Sequence, residues 1–538
     1  MPVHVRPALP ADTLKLTNHF GTWPQMAAAY AKEASADLLR ARSLYVSQSL
    51  LNSSAWQRAR SVEWVVGKRV ERKLQRQAPA HHIEEHAPLA GLDPDTLAGA
   101  LHMEDTLRWL GAAHKSALGA RVHKTGLGWG ATIVDTRAPA ATLHAHRFET
   151  LTPQAWEQHA HLAAHHPNHH LSVLGVGAGL AGVYPHLLNE AGVFVTVHPH
   201  TSNLQKLSPH PPRAGVLLDA LCKAPSARAL VERLRARPWA GGATLVISDP
   251  AGGAWVLDKG QRHCTASELT DGLHIITAHE ITSTSAKVSW EPALSSWEHA
   301  TRARSRALHR HLRDTEPQGV AQWAHALCDR SPEHFLASHT PLPAFAGLAV
   351  MDRADSRPTL WVRDAQMTHG EHMRPVRVAR GHACFGEEAP IPLPAATTAS
   401  RATEALVLAA QSIQRGDTRR ALTHAELALA MHPKSVPLQT MVALCALRAH
   451  KWTRAEGALR VALSLAPSTA WSSYIQLYLA WALHAQGQPL AAKHIYTDLR
   501  QSAHLAPRHA SMVAKRAFPS RQDLTHTDID FLTFLPIH

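Results

Sequence analysis

Two hydrophobic patterns alternate along the chain, and they predict helices towards both ends with strands between them. From residue 25 to about 118, apolar residues recur every three or four positions, as in QMAAAYAKEASADLLRARSLYVSQSLL, which predicts amphipathic helices. From about residue 126 the pattern changes to short apolar runs bounded by turn residues, which predicts strands. Beyond about residue 401 the helical spacing returns. The expected fold class is therefore α+β, followed by an all-α region.

Three hairpins are predicted in the central part of the chain. The clearest is ATLVISDPAGGAWVLD, in which Pro250, Gly252 and Gly253 form the turn. ATIVDTRAPAATLHAHRF predicts two strands about Pro139, and GLAVMDRADSRPTLWVRD predicts another pair. Helices are predicted over SARALVERLRARPW and HATRARSRALHRHLRD. Hairpins interleaved with helices indicate antiparallel sheets covered by helices, and not βαβ units.

Small residues repeat with a period of 34 in the C-terminal helical region. Ala421, Ala428 and Pro433 recur 34 positions later as Ala455, Ala462 and Pro467. A helical hairpin of this length is typical of tetratricopeptide repeats, in which small side chains let paired helices pack closely. Gly487, Ala492 and Pro507 belong to a third, irregular unit. We expect three such repeats to hold a peptide or helix in their concave groove, the alternative being a generic alanine-rich bundle.

Composition removes several classes of function. The formal charge is +13 with 41 histidines counted as neutral, and the basic residues are scattered, so nucleic acid is not an expected partner. The five cysteines are far apart and form no CxxC pair, which argues against a zinc knuckle or a disulfide scaffold. No run of 18 apolar residues and no signal-like N-terminus is present. A cytoplasmic location without membrane attachment is the expectation.

Two histidine-rich stretches are candidates for metal binding. HIEEH, from His82 to His86, satisfies the H-x-x-E-H pattern, in which two histidines four apart share a helix face. HAHLAAHHPNHH, from His159 to His170, could chelate a metal or titrate near neutral pH. No third ligand for HIEEH can be identified, and we interpret the second stretch as a solvated loop before a strand. No metal and no cofactor are therefore predicted.

The segment VLGVGAGLAG raises a dinucleotide-binding interpretation. Gly177, Gly179 and Gly182 satisfy G-x-G-x-x-G after an apolar run. A dinucleotide-binding turn also needs a following helix and a second strand that ends in an acidic residue. Here VYPHLLNEAG is short and contains Pro185, and VFVTVHPHTSN contains no carboxylate. Dinucleotide binding is therefore the third of three interpretations of function.

The order of the elements over residues 80–380 resembles the cysteine-type N-terminal nucleophile hydrolases, in particular the acyl-coenzyme A:6-aminopenicillanic acid acyltransferase type. HHIEEHAPLAGLDPDTLAGALHMEDTL is similar to the leader of that family, and ATIVDTRAPAATLHAHRFE to its first hairpin. GLAGVYPHLLNEAGVFVTV resembles its glycine segment and Asn-Glu-x-Gly turn. LVERLRARPWAGGATLVISDPAGGAWVLD resembles its helix and Asp-x-x-Gly hairpin. The resemblance implies a four-layer αββα sandwich.

Five regions follow from these patterns. They are an N-terminal helical, leader-like region (1–125), the αββα domain (126–390), a linker (391–401), the tetratricopeptide-like repeats (402–510) and a C-terminal tail (511–538). The linker is predicted from the proline- and alanine-rich segment IPLPAATTASR.

The resemblance also implies where the reacting groups belong. Enzymes of this kind cut their own chain to expose a Cys, Ser or Thr, whose side chain attacks a carbonyl while the freed α-amine acts as base. The Gly-Cys junction of the family falls on Gly128 and Trp129, and an indole ring is not a nucleophile. The position of the nucleophile is thus occupied by Trp129.

The other site positions match the family only in part. Its Gly-Arg-Asn-x-Asp segment is matched by AHRFE, with His146, Arg147 and Glu149 as the polar members. The Asn of its Thr-Asn-His motif is replaced by Ala278, which is followed by His279. Only Asn189 keeps its identity, and by the resemblance it faces the pocket, where amides stabilise an oxyanion.

These features predict an acyltransferase or amide-hydrolase-like domain that has lost its nucleophile and is joined to protein-binding repeats. Its pocket could still bind an acylated or amide small molecule. The alternative is an active enzyme that cuts the Lys124–Thr125 bond and uses Thr125, since a shift of four residues preserves strand facing. That alternative places GLGW in a strand, which glycine disfavours.

Overall fold

A computed structural model gives the structure of the chain, and we describe the following parts of it. They are residues 15–23, 129–137, 143–150, 160–178, 184–199, 213–239, 242–260, 263–270, 272–277, 319–328, 344–352, 358–363, 372–393, 416–465 and 469–502, with shorter pieces between and after them. HIEEH, most of the predicted N-terminal helices, and Thr125, Ala278 and His279 lie outside the described residues.

Eight of the described strands form a first sheet. In spatial order they are β1 (Lys15–Gly21), β4 (Ala160–Pro167), β5 (Val173–Ala178), β6 (His186–Asn189), β7 (Phe194–Pro199), β8 (Ala243–Ser248), β9 (Ala254–Lys259) and β10 (Cys264–Glu268). Neighbouring strands are antiparallel except for β1 and β4, which are parallel.

A second sheet is antiparallel throughout its described strands. In spatial order they are β11 (Leu273–Thr277), β2 (Trp129–Asp135), β3 (Leu143–Thr150), β12 (Ala344–Asp352), β13 (Thr359–Arg363), β14 (His372–Ala379) and β15 (His382–Phe385), with β16 (Ile391–Pro392) also paired to β14. A separate short hairpin joins β17 (Asp528–Asp530) to β18 (Leu535–Ile537).

The three predicted hairpins are confirmed as β2–β3, β8–β9 and β12–β13. Turn chemistry explains the clearest of them. One carboxylate oxygen of Asp249 accepts hydrogen bonds from the backbone N–H groups of Ala251 and Gly253, both at 3.0 Å. Gly252 has a φ of +91°, a conformation in which a side chain would be strained. The other carboxylate oxygen of Asp249 accepts a hydrogen bond from the N–H of Ala227 at 2.8 Å. This bond ties the turn to the start of the helix that begins at Ala227.

Helices contact one face of each sheet. On the first sheet, α1 (Arg213–Leu221) and α2 (Ala227–Ala236) share a buried apolar cluster with strand residues such as Val195 and Leu245. Ser226 caps α2 by accepting a hydrogen bond from the N–H of Ala229. On the second sheet, α3 (Gly319–Cys328) shares a cluster with β2 and β3.

The two sheets also contact each other. Leu162, Leu188 and Phe194 of the first sheet lie in one buried cluster with Met351 and Leu360 of the second. Because strand side chains alternate between faces, each sheet buries one set of residues against helices and the other set against its partner sheet. The described part of the chain thus combines sheets and helices, and the α+β class is confirmed.

The C-terminal region consists of helices whose bounds repeat. They are α4 (Thr418–Met431), α5 (Val436–Arg448), α6 (Trp452–Leu465), α7 (Thr469–Ala485) and α8 (Pro489–Leu499). The helices α4 and α6 begin and end 34 residues apart, as the alanine spacing predicts. Gly416 and His450 occupy equivalent turn positions and both have a positive φ, +76° and +57°. Ala421 and Ala455 are fully buried at equivalent positions of the two helices.

The repeated helices differ in exposure. On α4 and α6 one face is open to solvent, and Leu427 and Val461, 34 residues apart, are 51% and 42% exposed. By contrast, every residue of α5 whose burial is described is buried, and the described residues of α7 are buried or half-buried. The described residues of α5 therefore offer no open face, and the binding of a peptide or helix in a concave groove stays a prediction.

Three further expectations need correction. The N-terminal region is not wholly helical, because residues 15–21 form β1 and complete the first sheet. The stretch from His159 to His170 is not a solvated loop, since β4 occupies most of it, and among its residues with described burial only 168–170 are exposed. A neutral imidazole can be buried when its neighbours supply hydrogen bonds or ring contacts, which the sequence pattern did not reveal.

The dinucleotide interpretation is also wrong. The glycine segment begins in β5, and the next described strand, β6, pairs with it directly and antiparallel. A dinucleotide-binding unit requires two parallel strands joined by a crossover helix. Gly175 in β5 has a different role, because a Cβ atom there would lie only 2.7 Å from the ring of Tyr184.

Two glycines of the repeats should respond in opposite ways to alanine. Gly457, exposed within α6, has free space around it, so Gly457→Ala should raise the free energy of unfolding by about 0.5–1 kcal/mol. Gly416 also has free space but a φ of +76°, so Gly416→Ala should lower it by about 1 kcal/mol. Urea unfolding followed by circular dichroism at 222 nm measures both. Equal shifts for the two variants would contradict the assigned turn.

Candidate functional site

The structure places Trp129 and Glu149 opposite each other. Trp129 is the first residue of β2, and Glu149 is its partner in the ladder with β3. The positions expected for the nucleophile and the carboxylate are therefore neighbours. Thr125 and the Ala278–His279 pair, which complete the predicted site, lie outside the described residues.

Asn189 does not face the space between the sheets, and that expectation is wrong. Its side-chain N–H groups donate to the carbonyl oxygens of Leu221 and Ala224 at 2.9 and 2.8 Å. Its side-chain oxygen accepts from the N–H of Val193 at 2.9 Å. The amide therefore fastens the β6–β7 turn to the end of α1, on the helix side of the sheet. All of its usual hydrogen-bonding groups are engaged there.

Arg147 is also engaged on an outer face. It is 7% exposed, and one terminal nitrogen donates to the carbonyl oxygen of Leu327 at 2.9 Å. Leu327 lies in the last turn of α3, where carbonyl groups lack partners within the helix. Arg147 therefore holds α3 against the second sheet, and its guanidinium satisfies a helix end.

His146, by contrast, lies between the sheets, in a group that the sequence analysis missed. We call this group the histidine layer. Its members are fully or almost fully buried polar residues of both sheets, namely Thr132, His144, His146, His186, Thr196, His198 and Ser248. The ring of His146 lies 4.7 Å from that of His186 and 5.0 Å from that of His198, measured between centroids. The available signal was the alternation of histidine with other residues in LHAHRFE.

Hydrogen bonds connect much of this layer into one chain. Ser248 Oγ lies 2.6 Å from His144 Nδ1, and His144 Nε2 lies 3.2 Å from Thr196 Oγ1. Thr196 Oγ1 lies 2.8 Å from Thr132 Oγ1, which lies 2.7 Å from His198 Nε2. The chain crosses between the sheets four times. It joins β8, β3, β7 and β2 through side chains alone.

Burial keeps His146, His186 and His198 of the layer neutral. Burial, reinforced by the neighbouring His186, His198 and His144, holds the pKa of His146 well below its usual range. Burial and His198 lower the pKa of His186 to about 3, and burial lowers that of His198 to about 4. A neutral imidazole can accept at one nitrogen and donate at the other, as a chain of hydroxyl and imidazole groups requires.

The layer contains a pair that resembles an activated nucleophile, Ser248 with His144. A serine hydroxyl at 2.6 Å from an imidazole is the arrangement used for nucleophilic attack. Both side chains are fully buried, and the apolar cluster of Val134, Val246 and Ala254 lies beside them. Without access to a substrate the pair acts as a structural contact between β8 and β3.

The two buried cysteines, Cys222 and Cys445, offer no activated thiol. Burial and the nearby Asp219 carboxylate raise the pKa of Cys222 to about 12, and burial raises that of Cys445 to about 12. Thiolate, the reactive form, is therefore scarce at both positions. Among the described residues no group of three or more His, Cys, Asp or Glu side chains is arranged to hold a metal ion.

Comparison with known proteins adds no relative. The chain matches no protein-family model, and no curated protein matches it. Within the described residues, no helix has both the length and the apolar character needed to cross a membrane. The site must therefore be judged on its own geometry.

The histidine layer should make stability depend on acid. The pKa values of His146, His186 and His198 are below the value of about 6.5 expected in the unfolded chain. Below pH 6.5 the unfolded state therefore binds protons that the folded state excludes. The contribution of these three histidines to stability should be constant above about pH 7 and fall by up to about 4 kcal/mol per pH unit below pH 6. Denaturant unfolding between pH 7.5 and 5 measures this.

The matched variant is His186→Leu, which should reduce that slope by about 1.4 kcal/mol per pH unit, because one fewer proton is bound on unfolding. His170→Gln, at an exposed position, should leave the slope unchanged. A slope identical in all three proteins would mean that His186 does not titrate on unfolding.

Asn189 should behave as a structural residue. Asn189→Ala removes three buried hydrogen bonds and leaves two carbonyls and one N–H without this partner, so the free energy of unfolding should fall by about 3 kcal/mol. Asn168→Ala, in the exposed turn after β4, should change it by less than about 0.5 kcal/mol. Thermal unfolding of the purified variants checks both. An Asn189→Ala protein as stable as the parent would return this residue to the list of catalytic candidates.

Proposed function

We propose that this chain is a non-catalytic relative of the N-terminal nucleophile hydrolases that serves as a protein-binding scaffold through C-terminal tetratricopeptide-like repeats. One observation carries the proposal. The polar side chains that the family pattern assigns to catalysis, where they are described, are used to hold the fold together. Asn189 binds the end of α1, Arg147 binds the end of α3, and His146 is sealed between the sheets.

The arrangement of contacts supports the αββα assignment. Buried clusters join α1 and α2 to the first sheet, the first sheet to the second, and the second sheet to α3. A stack of helices, sheet, sheet and helix is the architecture that the resemblance implies. Trp129 at the start of β2, beside Glu149, supports the loss of the nucleophile, since an indole cannot attack a carbonyl.

The geometry of the helical region supports the repeat assignment and indicates which face is available. The 34-residue spacing of α4 and α6, with buried alanines at equivalent positions, is that of stacked helical hairpins. Because α5 is buried, we assign partner binding to the outer faces of α4 and α6, where Leu427 and Val461 are exposed. We propose that a partner packs against these two exposed apolar side chains.

A cytoplasmic location is part of the proposal. The cysteines at positions 222, 264, 384 and 445 are all free thiols in the described structure. Free thiols persist in reducing compartments. An acylated or amide ligand remains a further candidate for the α+β region, and nucleic acid does not fit the scattered basic residues.

Intact mass separates this proposal from self-processing at Thr125. Purified full-length chain should give one species at 58.6 kDa, because Trp129 cannot support the shift of a peptide bond onto a side chain. Thr125→Ala should give the same single species, and neither protein should be cleaved during storage. Two fragments produced by cleavage before Thr125, and absent from the Thr125→Ala protein, would contradict the scaffold proposal and favour an active amidohydrolase.

The same preparations test the repeats. Leu427→Arg with Val461→Arg should abolish capture of partners recovered by cross-linking to the parent chain, while circular dichroism stays unchanged because both side chains are exposed. Unchanged capture by this double variant would remove the outer faces of α4 and α6 from the proposal.

A further inference from the structure

The strand β1 completes one edge of the first sheet from a distant part of the chain. Its seven residues pair in register with β4, from Lys15 opposite His161 to Gly21 opposite Pro167. It is the one parallel partner among the described strands of this sheet, and more than a hundred residues separate it from β2. Many proteins bind a peptide in the same way, as an extended strand added to the edge of a sheet.

A side-chain clasp centred on Asn18 joins this strand to both sheets. Asn18 Nδ2 donates to the carbonyl oxygen of Ala383 in β15 at 3.2 Å, and the N–H of Ala383 donates to Asn18 Oδ1 at 3.0 Å. His166 Nε2, in β4, lies 2.8 Å from the same Oδ1. The amide of Asn18 therefore pairs with the backbone of the second sheet while its own backbone pairs with the first.

The clasp continues through β4 back to the turn before β15. His166 Nδ1 lies 2.9 Å from Ser172 Oγ, and the N–H of Gly381 donates to Ser172 Oγ at 3.2 Å. With His166 neutral, each donor in this circuit meets an acceptor. Burial and the nearby His382 and His19 lower the pKa of His166 to about 4, against the opposing effect of Glu190. The pocket that receives Asn18 is thus built from both sheets.

Other side chains of the segment are recognised as well. Thr17 Oγ1 donates to the carbonyl oxygen of Leu162 at 3.3 Å, and His19, 1% exposed, stacks on His165 at 5.7 Å. Phe20 stacks on the ring of His166 at 4.7 Å although it is 56% exposed. Lys15 is exposed, so replacing its side chain should not affect how the segment binds.

We propose that the edge of β4, together with the backbone of Ala383 in β15, is a sequence-selective binding site for an extended peptide, and that residues 15–21 of this chain are its resident ligand. The backbone ladder provides affinity for any extended segment. Asn18 provides selectivity, because an asparagine amide matches the paired N–H and C=O of Ala383. This site is separate from the repeats and does not depend on the fate of the nucleophile.

Peptide binding to an emptied edge tests the proposal. The target is the full chain with residues 15–21 replaced by a glycine–serine segment, and the probe is a fluorescent peptide of residues 13–24. Saturable binding is expected by fluorescence anisotropy. The Asn18→Ala peptide should bind at least about tenfold more weakly, since three hydrogen bonds are lost, and the Lys15→Ala peptide should bind like the parent. The unmodified full chain should bind the probe at least about tenfold more weakly, because its own strand occupies the edge.

Absence of saturable binding, or equal binding by the Asn18→Ala peptide, would overturn the proposal. Hydrogen exchange covers the case in which the emptied chain does not fold. In the otherwise unmodified chain, Asn18→Ala should speed exchange of backbone amides in β1, β4 and β15 while the remaining strands stay protected, and Lys15→Ala should change nothing. Unchanged exchange at these strands in Asn18→Ala would equally refute the site.

Discussion

The two-sheet part of this protein depends on a polar layer that is buried between the sheets and must remain neutral. Placing imidazole and hydroxyl groups where water cannot reach them costs free energy unless hydrogen bonds replace those to water. The chain from Ser248 through His144, Thr196 and Thr132 to His198 supplies that replacement. Because each bond joins particular atoms of both sheets, the layer fixes how one sheet lies on the other, which apolar contacts alone do less selectively.

This constraint also explains why His146, Arg147 and Asn189, the expected catalytic residues whose side chains are described, are not gathered in one cleft. In β6, Leu187 contacts the helix side and Leu188 the partner sheet, so strand alternation places Asn189 with the helices. Arg147 follows His146 in β3 and so turns to α3 when His146 turns inward. To reach the space between the sheets, the Asn189 amide or the Arg147 guanidinium would have to lie on the opposite face of its strand. In both strands that face carries residues of the histidine layer.

The reach of sequence reasoning differed between local and non-local features. The turn from Asp249 to Gly253 and the alanines of α4 and α6 follow from neighbouring residues, and both were predicted at the right positions. The pairing of β1 with β4 joins segments about 145 residues apart, for which no local pattern exists. The stretch HAHLAAHHP was misread because a histidine counts as polar in a sequence pattern. In β4, His165 of this stretch is fully buried, stacks on His19 and is kept neutral by burial, which lowers its pKa to about 3.

The helical region illustrates how composition decides which helices are exposed. VPLQTMVALCALR, the sequence of α5, is largely apolar, and a helix that is apolar all round is buried on every side. In α4 and α6, charged residues share one face with Leu427 and Val461, and Arg454 pairs with Glu426 across the two helices at 2.8 Å. The solvent-facing row therefore carries both apolar side chains and charges, whereas the described residues of α5 present no open face.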